Sequence, residues 1–399
     1  MYHSLFSNLR RYSTVNVRNP IPATFLRGGT SKGIFLKRSD LPDDRGLWDR
    51  IFLGIMGSPD MEYGRQLNGM GGGISSLSKI CVVGPSSQPR GLPVDAEYTF
   101  VQVGIRDKSI DYSGNCGNLS SMIGVFALDE GILCHPEQHD GSTVTVRSFN
   151  TNTSKHINTT FPAAIVDGRC TPLLNLDQTS MAGVPGKASQ IVLDFISPGG
   201  ARTGKLLPTG NTIDAIRVAT GNEHLHLRMS LIDATNPTVF VTLSDLRDIL
   251  FLPDTSLIDF ASSSTLQMLE AIRQQGAKLM GLDPSAQAQP KIAILSPPSP
   301  SDSEVDIVVH ALSMGALHKA VPMTVGLCLG VAAGIEGTLV NEIVQHSRAS
   351  RRDTGIDLIR VKHPSGIVDV GAEFDQNGEV KNAKVVRTGR RLMKGVVWW

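Results

Sequence analysis

The chain repeats one order of segments, and this repeat constrains its fold more than any other feature of the sequence. Residues 31–41, SKGIFLKRSDL, align with residues 236–246, NPTVFVTLSDL, at a lag of 205 positions, with four identities in eleven. Residues 147–161 align with residues 360–374 at a lag of 213, and both stretches consist of two extended segments around a polar turn. Internal self-similarity of this kind predicts that one structural unit occurs twice.

One strongly apolar helix is predicted in each half, over Leu119 to Leu128 and over Pro322 to Ala333. A helix that is apolar nearly all round must be enclosed, and the short alternating strands around it are the natural enclosure. We therefore predict an α+β protein with two similar domains, each a curled sheet around a central helix. The predicted domains are residues 20–185 and 186–399, joined near the Gly- and Pro-rich stretch MAGVPGKASQ, and the last strands can pack back on the first domain.

The composition of the chain excludes several classes of protein. With 399 residues, 41% of them hydrophobic and 19% charged, the chain is long enough for two globular domains. Its net charge of +1, without a long basic run, argues against nucleic acid or a lipid surface as a partner. The most apolar run, residues 321–335, is shorter than the ~20 residues that a membrane span needs. Five cysteines without a C-x-x-C pair indicate free thiols instead of disulfides or a zinc cage.

The stretch DYSGNCGN places Cys116 where a polar turn becomes the first apolar helix. If both central helices point their N-termini at the cleft between the domains, the unpaired N–H groups there form anion sites. The ligand should then be anionic at two or more points. A buried structural role is the alternative for any cysteine, and Cys81, Cys170 and Cys328 fit it well. The polar neighbours of Cys116 favour a functional role.

A second unusual stretch, RQLNGMGGGISSLSKICVVG, leads into a predicted strand that begins at Lys79. Its consecutive glycines indicate that something approaches the backbone closely. A lysine at the mouth of a strand, facing a dry cleft, is a candidate base. A solvated lysine at a strand end is the alternative interpretation.

Three motif-like stretches do not predict sites. RGGTSKG, residues 27–33, lacks the spacing of a phosphate-binding loop and precedes a strand instead of a helix. GMGGG, residues 69–73, has no strand before it, which a dinucleotide-binding motif requires. CHPEQHD, residues 134–140, carries metal-ligand residue types but lacks a second cluster, so a surface loop is favoured.

Seven stretches together resemble the PrpF family, the 2-methylaconitate cis-trans isomerases of the diaminopimelate-epimerase-like superfamily. They occur in order between Ala23 and Gly395, as TFLRGGTSKGIFL, GMGGGISSLSK, DYSGNCGN, DATNPTVFV, MGALHKAVPMTVG, KHPSGIVDV and RTGRRLMKG. Within this family the chain most resembles the fungal aconitate Δ-isomerases, which convert cis-aconitate to trans-aconitate. The resemblance implies a duplicated diaminopimelate-epimerase-like fold with the active site in the interdomain cleft, no cofactor and no metal.

The resemblance also implies roles for individual residues. Lys79 is the expected base, and Cys116 is the candidate proton donor or a residue that shapes the pocket. The expected substrate-binding residues are Ser31, Asn68, Ser76, Gly117, Asn118, Asn236, Met314 and Gly315. Epimerases of the superfamily pair two cysteines, but the counterpart of Cys116 in the second half falls near Lys319, where the sequence has no cysteine. The missing thiol argues against an amino-acid epimerase or racemase.

The predicted function is a cofactor-independent isomerisation of a small tricarboxylate, cis-aconitate to trans-aconitate. Removal of a methylene proton next to one carboxylate gives an extended dienolate, and return of the proton at the other end shifts the double bond. This chemistry needs a base, a proton donor and fixed positive potential for the carboxylates. A 2-methylaconitate isomerase and a 4-oxalomesaconate-type tautomerase remain alternatives, and a non-catalytic anion-binding protein is the alternative of another class.

The cellular location is predicted less directly. The N-terminal stretch MYHSLFSNLRRYST has Arg10 and Arg11, several hydroxyl residues and no acid, as mitochondrial presequences do, and a polar arm is the alternative. Because trans-aconitate resembles the substrates of aconitase, its release in the mitochondrial matrix would obstruct that enzyme. We therefore expect a cytoplasmic protein, with the matrix as the alternative and a homodimer left open.

Overall fold

The computed structural model describes most of the chain. The described residues are 18–86, 92–112, 114–133, 137–139, 142–220, 223–253, 257–286, 289–313, 315–318, 320–349 and 358–399. The two arginines of the N-terminal stretch, most of the CHPEQHD loop, Met314 and Lys319 lie outside these ranges. The interpretation of the N-terminus as a presequence or a polar arm therefore stays a prediction.

The described residues of the first half of the chain form twelve strands and three α-helices. In chain order these elements are β1 (Ile21–Gly28), β2 (Ser31–Lys37), α1 (Trp48–Met56), β3 (Lys79–Pro85), β4 (Ala96–Val103), β5 (Ile110–Asp111), α2 (Gly117–Ser120), α3 (Ile123–Asp129), β6 (Glu137–His139), β7 (Thr143–Asn150), β8 (Lys155–Val166), β9 (Arg169–Pro172), β10 (Thr179–Met181), β11 (Val184–Ala188) and β12 (Ile191–Ile196).

In the second half, the residues that the structure describes add ten strands and four α-helices. They are β13 (Asp214–Thr220), β14 (Glu223–Ala234), β15 (Asn236–Thr242), α4 (Leu243–Ile249), α5 (Ser263–Leu279), β16 (Lys291–Ser296), β17 (Ile307–Ser313), β18 (Ala316–Leu317), α6 (Met323–Ala333), α7 (Leu339–Ala349), β19 (Leu358–His363), β20 (Gly366–Phe374), β21 (Val380–Arg387) and β22 (Gly389–Val397). Short 3₁₀ turns occur at Arg38–Asp40, Arg45–Leu47 and Ser75–Leu77.

Strand pairing follows the same order in both halves, so the predicted duplication is confirmed. In the first half, β1 is antiparallel to β2, β2 parallel to β3, β3 antiparallel to β4, β4 parallel to β7, and β7 antiparallel to β8. The series β14, β15, β16, β17, β19 and β20 repeats these five relations in the same sequence. Strands β2 and β15 begin at Ser31 and Asn236, the two residues that the repeat aligns first.

The difference in residue number between equivalent positions of the two halves changes within the hairpins β7–β8 and β19–β20. Asn150 and His363, which end β7 and β19, are separated by the predicted 213 positions. Asn150 pairs with Lys155, whereas His363 pairs with Gly366, so the second hairpin has the shorter turn. The predicted alignment is therefore right for the first strand of each hairpin and shifted for the second.

The prediction of one continuous helix over Leu119 to Leu128 is wrong, because the chain forms two short helices, α2 and α3, in this region. Between them, the N–H of Met122 bonds to the carbonyl of Leu119, which is the tighter i→i+3 pattern. The hydroxyl of Ser121 donates to the carbonyl of Asn118 at 2.7 Å. Serine side chains that bond the backbone in this way compete with helix hydrogen bonds and explain the break. The second predicted helix is confirmed as α6, with Pro322 as its N-cap.

The central helices of both halves lie in one continuous hydrophobic core, which includes buried residues of α2, α3 and α6 and of strands from both halves. Two smaller cores lie on the outer faces, one around α1 and one around α4 and α5. Strands also cross between the halves. Strand β12 pairs with β8 on one side and β21 on the other, and β22 pairs with β1. Among the described residues no helix is long and apolar enough to cross a membrane.

Candidate active site

A cavity of about 820 Å³ lies between the two halves. The first half contributes the turn after β1, the 3₁₀ turn before β3, and the start of α2. The second half contributes the segment before α6 and the turns that join β19 to β20 and β21 to β22. Five predicted site residues line this cavity, Ser31, Ser76, Lys79, Cys116 and Asn118.

Cys116 is the N-cap residue of α2, and its side chain is half-buried at the cavity. Its thiol donates to the hydroxyl of Ser31, with 3.7 Å between Sγ and Oγ. A polar network anchors the loop, because the hydroxyl of Tyr98 bonds to Asn115 at 3.2 Å and to Ser120 at 2.9 Å. The backbone that carries the thiol is therefore held by buried hydrogen bonds, as preorganised sites require.

Lys79 begins β3 and is 9% exposed. Its ammonium donates to the side-chain carbonyl of Gln102 and lies 5.0 Å from the centre of the Phe100 ring. The amide nitrogen of Gln102 donates in turn to the backbone carbonyl of Ser78 at 2.9 Å, which fixes the orientation of the amide. No carboxylate among the described residues forms an ion pair with Lys79. Its two described side-chain contacts, Gln102 and Phe100, are uncharged, and Lys79 lines the cavity.

Arg387, at the end of β21, is a cavity residue that the sequence interpretation missed. Its side chain is buried, with Nε donating to Oδ1 of Asn118 at 3.0 Å and Nη1 donating to the carbonyl of Val386 at 2.8 Å. Burial lowers the pKa of Arg387 to about 10, and the nearby Cys116 opposes this effect. Asn118 also donates to the hydroxyl of Thr30 at 3.1 Å, so its amide positions Arg387 and the β1–β2 turn.

Two histidines and a second arginine of the second half also line the cavity, and none was predicted. His363 ends β19 and is buried, whereas His318 is exposed in the segment before α6. Arg360 forms ion pairs with Glu304 at 2.7 Å and with Asp369 at 3.3 Å, so its charge is balanced within the protein. A lone histidine or arginine in a strand pattern carries no sequence signal that distinguishes a cavity residue from a surface residue.

Gly117 does not line the cavity but contacts a residue that does. A Cβ atom on Gly117 would lie 2.0 Å from the sulfur of Met323, the first residue of α6. The N-termini of the two central helices therefore meet at this point. A larger residue at position 117 would have to displace the side chain of Met323.

The other predicted binding residues are not brought to the cavity wall. Asn68 is exposed in the turn after α1, and the Asn236 amide donates to the adjacent Pro237 carbonyl at 3.1 Å. Gly315 lies in the turn between β17 and β18 and borders a small pocket next to α5, because β17 ends on that side of the sheet. Met314 lies outside the described residues, and its role stays a prediction.

The glycine-rich loop before Lys79 was predicted to be closely approached at its backbone, and the groups that approach it belong to the protein itself. A Cβ atom on Gly69 would lie 2.1 Å from the backbone nitrogen of Gly57, and one on Gly71 would lie 2.3 Å from the amide of Gln66. The Gln66 amide also bonds to the hydroxyl of Ser78 at 2.8 Å. The glycines thus let the loop pack against α1 and hold the residue next to Lys79.

A hairpin that was interpreted as a domain join forms part of the cavity wall. Strands β10 and β11 pair with each other, and Thr179 to Ala182 line the cavity. A Cβ atom on Gly366 would lie 2.6 Å from Ala182, so the hairpin contacts the β19–β20 turn. In the described ranges, no cluster of three or more His, Cys, Asp or Glu residues is placed to hold a metal ion.

The chain was compared with known proteins. It is 35% identical to the 3-methylitaconate isomerase of Eubacterium barkeri, over 95% of this chain and 97% of that protein. It is also 35% identical to the 2-methyl-aconitate isomerase of Shewanella oneidensis, over 94% of this chain and 96% of that protein. Among solved structures, the crystal structure of methylitaconate-delta-isomerase matches with a TM-score of 0.80 and 34% identity, covering 95% of each chain.

These similarities extend over nearly the whole chain and agree with the repeated strand pairing. The predicted duplicated α+β fold is confirmed, and so is the prediction of an isomerase. Residues 18–399 match the family described as PrpF protein, and the chain therefore belongs to the PrpF family.

Proposed function

We propose that this isomerase converts cis-aconitate to trans-aconitate by a 1,3 proton shift. One observation carries the proposal, namely that Lys79 and Cys116 line the same cavity as Arg387, a buried cation. A base, a proton donor and fixed positive charge are what the shift of a double bond between carboxylates requires.

In the proposed reaction, the amine of Lys79 takes a proton from the methylene group of the substrate. The electrons move through the double bond into the adjacent carboxylate and give an extended dienolate. The thiol of Cys116 then returns a proton to the other end of the allylic system, and water carries a proton from the ammonium of Lys79 back to the thiolate. The skeleton of aconitate is symmetric under this shift, so the product is again aconitate, and it is the trans isomer when the new double bond forms in the trans geometry.

A second candidate substrate is 2-methylaconitate. Met181, Ala182 and Met323 give the cavity an apolar section that would accept a methyl group. The related protein of Shewanella oneidensis is named for this compound. The methyl group is the only difference between the two substrates, so relative kcat/KM values decide between them.

Proton NMR in deuterated water tests the proposal directly. We expect cis-aconitate to give trans-aconitate with deuterium in the methylene group, because the thiol that returns the proton exchanges its hydrogen with solvent. The same spectra, recorded with 2-methylaconitate and 4-oxalomesaconate, identify the preferred acid. The proposal is wrong if cis-aconitate is unchanged while another acid of the panel is turned over.

A further inference from the structure

His363 is a buried polar side chain at the cavity for which the proposed proton shift has no use. It is 7% exposed, and its ring lies at the end of β19, where the chain turns towards β20. Its Nδ1 accepts the backbone N–H of Ser365 at 3.2 Å, a contact made within the turn itself. The orientation of the ring is therefore fixed by the backbone.

This contact also determines where the imidazole carries its proton. Burial in the first place, and then the positive charges of Arg387 and His318, lower the pKa of His363 to about 4. The ring is therefore neutral near pH 7, with one N–H group. Because Nδ1 accepts a hydrogen bond, the proton must be on Nε2. Nε2 makes no hydrogen bond within the described residues.

Arg387 presents a similar unused donor in the same cavity. Its Nε and Nη1 are occupied by Asn118 and Val386, whereas Nη2 makes no hydrogen bond in the part of the chain that the structure describes. No carboxylate among those residues pairs with the guanidinium. Both side chains line the cavity, so a carboxylate bound there can accept a hydrogen bond from each of the two donors.

We infer that the Nε2–H of His363 and the Nη2 of Arg387 together bind one carboxylate of the substrate. The inference rests on the proposed function, since it assigns a place to one of the three carboxylates of aconitate. A planar guanidinium next to a neutral N–H donor can satisfy both oxygens of a carboxylate. Asn118 is then a positioning residue, because its side-chain carbonyl accepts a hydrogen bond from Nε of the guanidinium.

The neutral state of the imidazole has a chemical advantage in this position. A second cation beside Arg387 would repel it in the empty cavity and destabilise the folded protein. A neutral donor adds a directed hydrogen bond without adding charge. The subsite therefore selects for a planar carboxylate and against an uncharged group such as an amide or an ester.

Binding of a saturated analogue tests the subsite without turnover. The probe is propane-1,2,3-tricarboxylate, and its Kd is measured by calorimetry for the wild type, His363→Gln and His363→Leu. We expect His363→Leu to weaken binding about 10-fold or more, as loss of a hydrogen bond to a charged group does. His363→Gln, which retains an N–H donor, should recover a part of the affinity. The matched control is His310→Gln, in a half-buried histidine outside the cavity wall, and it should bind like the wild type.

Two dicarboxylates show which carboxylate of the probe the subsite binds. Glutarate lacks the central carboxylate of the probe, and methylsuccinate lacks a terminal one. We expect one of them to bind equally to the wild type and to His363→Leu, because it lacks the group that the subsite holds. Equal losses for all three ligands, or no loss for the tricarboxylate, would overturn the inference.

Circular dichroism of each variant checks that it is folded. His363-dependent binding in a protein that does not isomerise cis-aconitate would refute the proposed reaction and leave the subsite standing. Full turnover by His363→Leu with an unchanged KM would refute the subsite and leave the reaction standing.

Discussion

The two halves of the molecule share their strand pairing but differ in the side chains that they bring to the cavity. Lys79 begins β3, and Lys291 begins β16, the corresponding strand of the second half. Lys79 lies at the cavity beside Phe100 and Gln102, whereas Lys291 is not among the residues that line it. Burial and the neighbouring Arg273 lower the pKa of Lys291. Equivalent positions in a duplicated fold thus do not have equivalent roles.

The same asymmetry holds for the central helices. In the first half the N-cap residue is Cys116, and in the second half it is Pro322. The first half provides an amine, a thiol and hydroxyl groups, while the second half provides His318, His363 and Arg387. The comparison suggests a division of labour in which one half transfers protons and the other binds the anionic substrate.

Replacing the two equivalent lysines tests this division most severely. We expect Lys79→Ala to lower kcat by roughly 100- to 10,000-fold, which is the usual contribution of a general base. Lys291→Ala, its matched control, should stay within about twofold, as substitutions away from an active site usually do. Steady-state rates with cis-aconitate give both values. Equal losses of activity in the two variants would contradict the division of labour between the halves. Full activity of Lys79→Ala would show that Lys79 is not the base.

The cysteines provide the second test. Cys116→Ser retains a hydroxyl but loses the more acidic thiol, so we expect kcat to fall about 100-fold. Cys170→Ser is the control, because Cys170 is a half-buried cysteine of β9 that does not line the cavity. Unchanged turnover by Cys116→Ser would show that the thiol only shapes the pocket.

Glycine substitutions compare the central helices themselves. A Cβ atom on Gly117 would lie 2.0 Å from the sulfur of Met323, whereas one on Gly326 would have its nearest neighbours at 3.6 Å. We expect Gly117→Ala to destabilise the protein by about 1–3 kcal/mol through overpacking. Gly326→Ala should stabilise it by up to about 1 kcal/mol, since alanine is the better helix former. Thermal melts followed by circular dichroism measure both, and shifts of the same sign would contradict the packing argument.

The smallest expected effect concerns pH. The folded pKa of His363 is about 4, below its ordinary value of 6.5, because of burial, Arg387 and His318. Between these two values the unfolded chain binds the proton more readily, so the folded state loses stability as the pH falls from about 6.5 towards 4. His363→Gln lacks this titration, and its Tm should fall less than that of the wild type between pH 7 and pH 5. Parallel declines would show that His363 does not contribute to the pH dependence.

The fold was predictable because its evidence is local and repeated. Alternation in strands and the apolar helices are visible in short windows, and the repeat doubles the evidence for each element. Lys79 and Cys116 were predictable for a related reason, since each lies where a polar turn meets an apolar element. The break between α2 and α3 was missed, because it depends on a hydroxyl-to-backbone bond at Ser121 that competes with helix propensity.

The site residues that belong to the second half of the chain could not be predicted in this way. Arg387 reaches Asn118 across a sequence separation of 269 residues, and it lies in β21 opposite Ile191 of β12, a pairing between the two halves. His363 depends in addition on the two-residue turn that follows it. The protonation of its ring depends on groups that only the folded chain brings together, so it cannot be predicted from a short stretch of sequence.

The return of β22 to β1 has a consequence for how the protein is made. The amide of Asn19 donates to the backbone carbonyl of Trp399 at 2.9 Å, across a sequence separation of 380 residues. During synthesis the first half therefore leaves the ribosome without β22, the second partner of β1, and without β21, which lies beside β12. Its open strand edges are exposed to other chains until the last strands emerge, a condition that favours misassembly. We therefore expect that the need for chaperones during folding depends on the time between synthesis of the first half and synthesis of the last strands. It should not depend on the stability of either half.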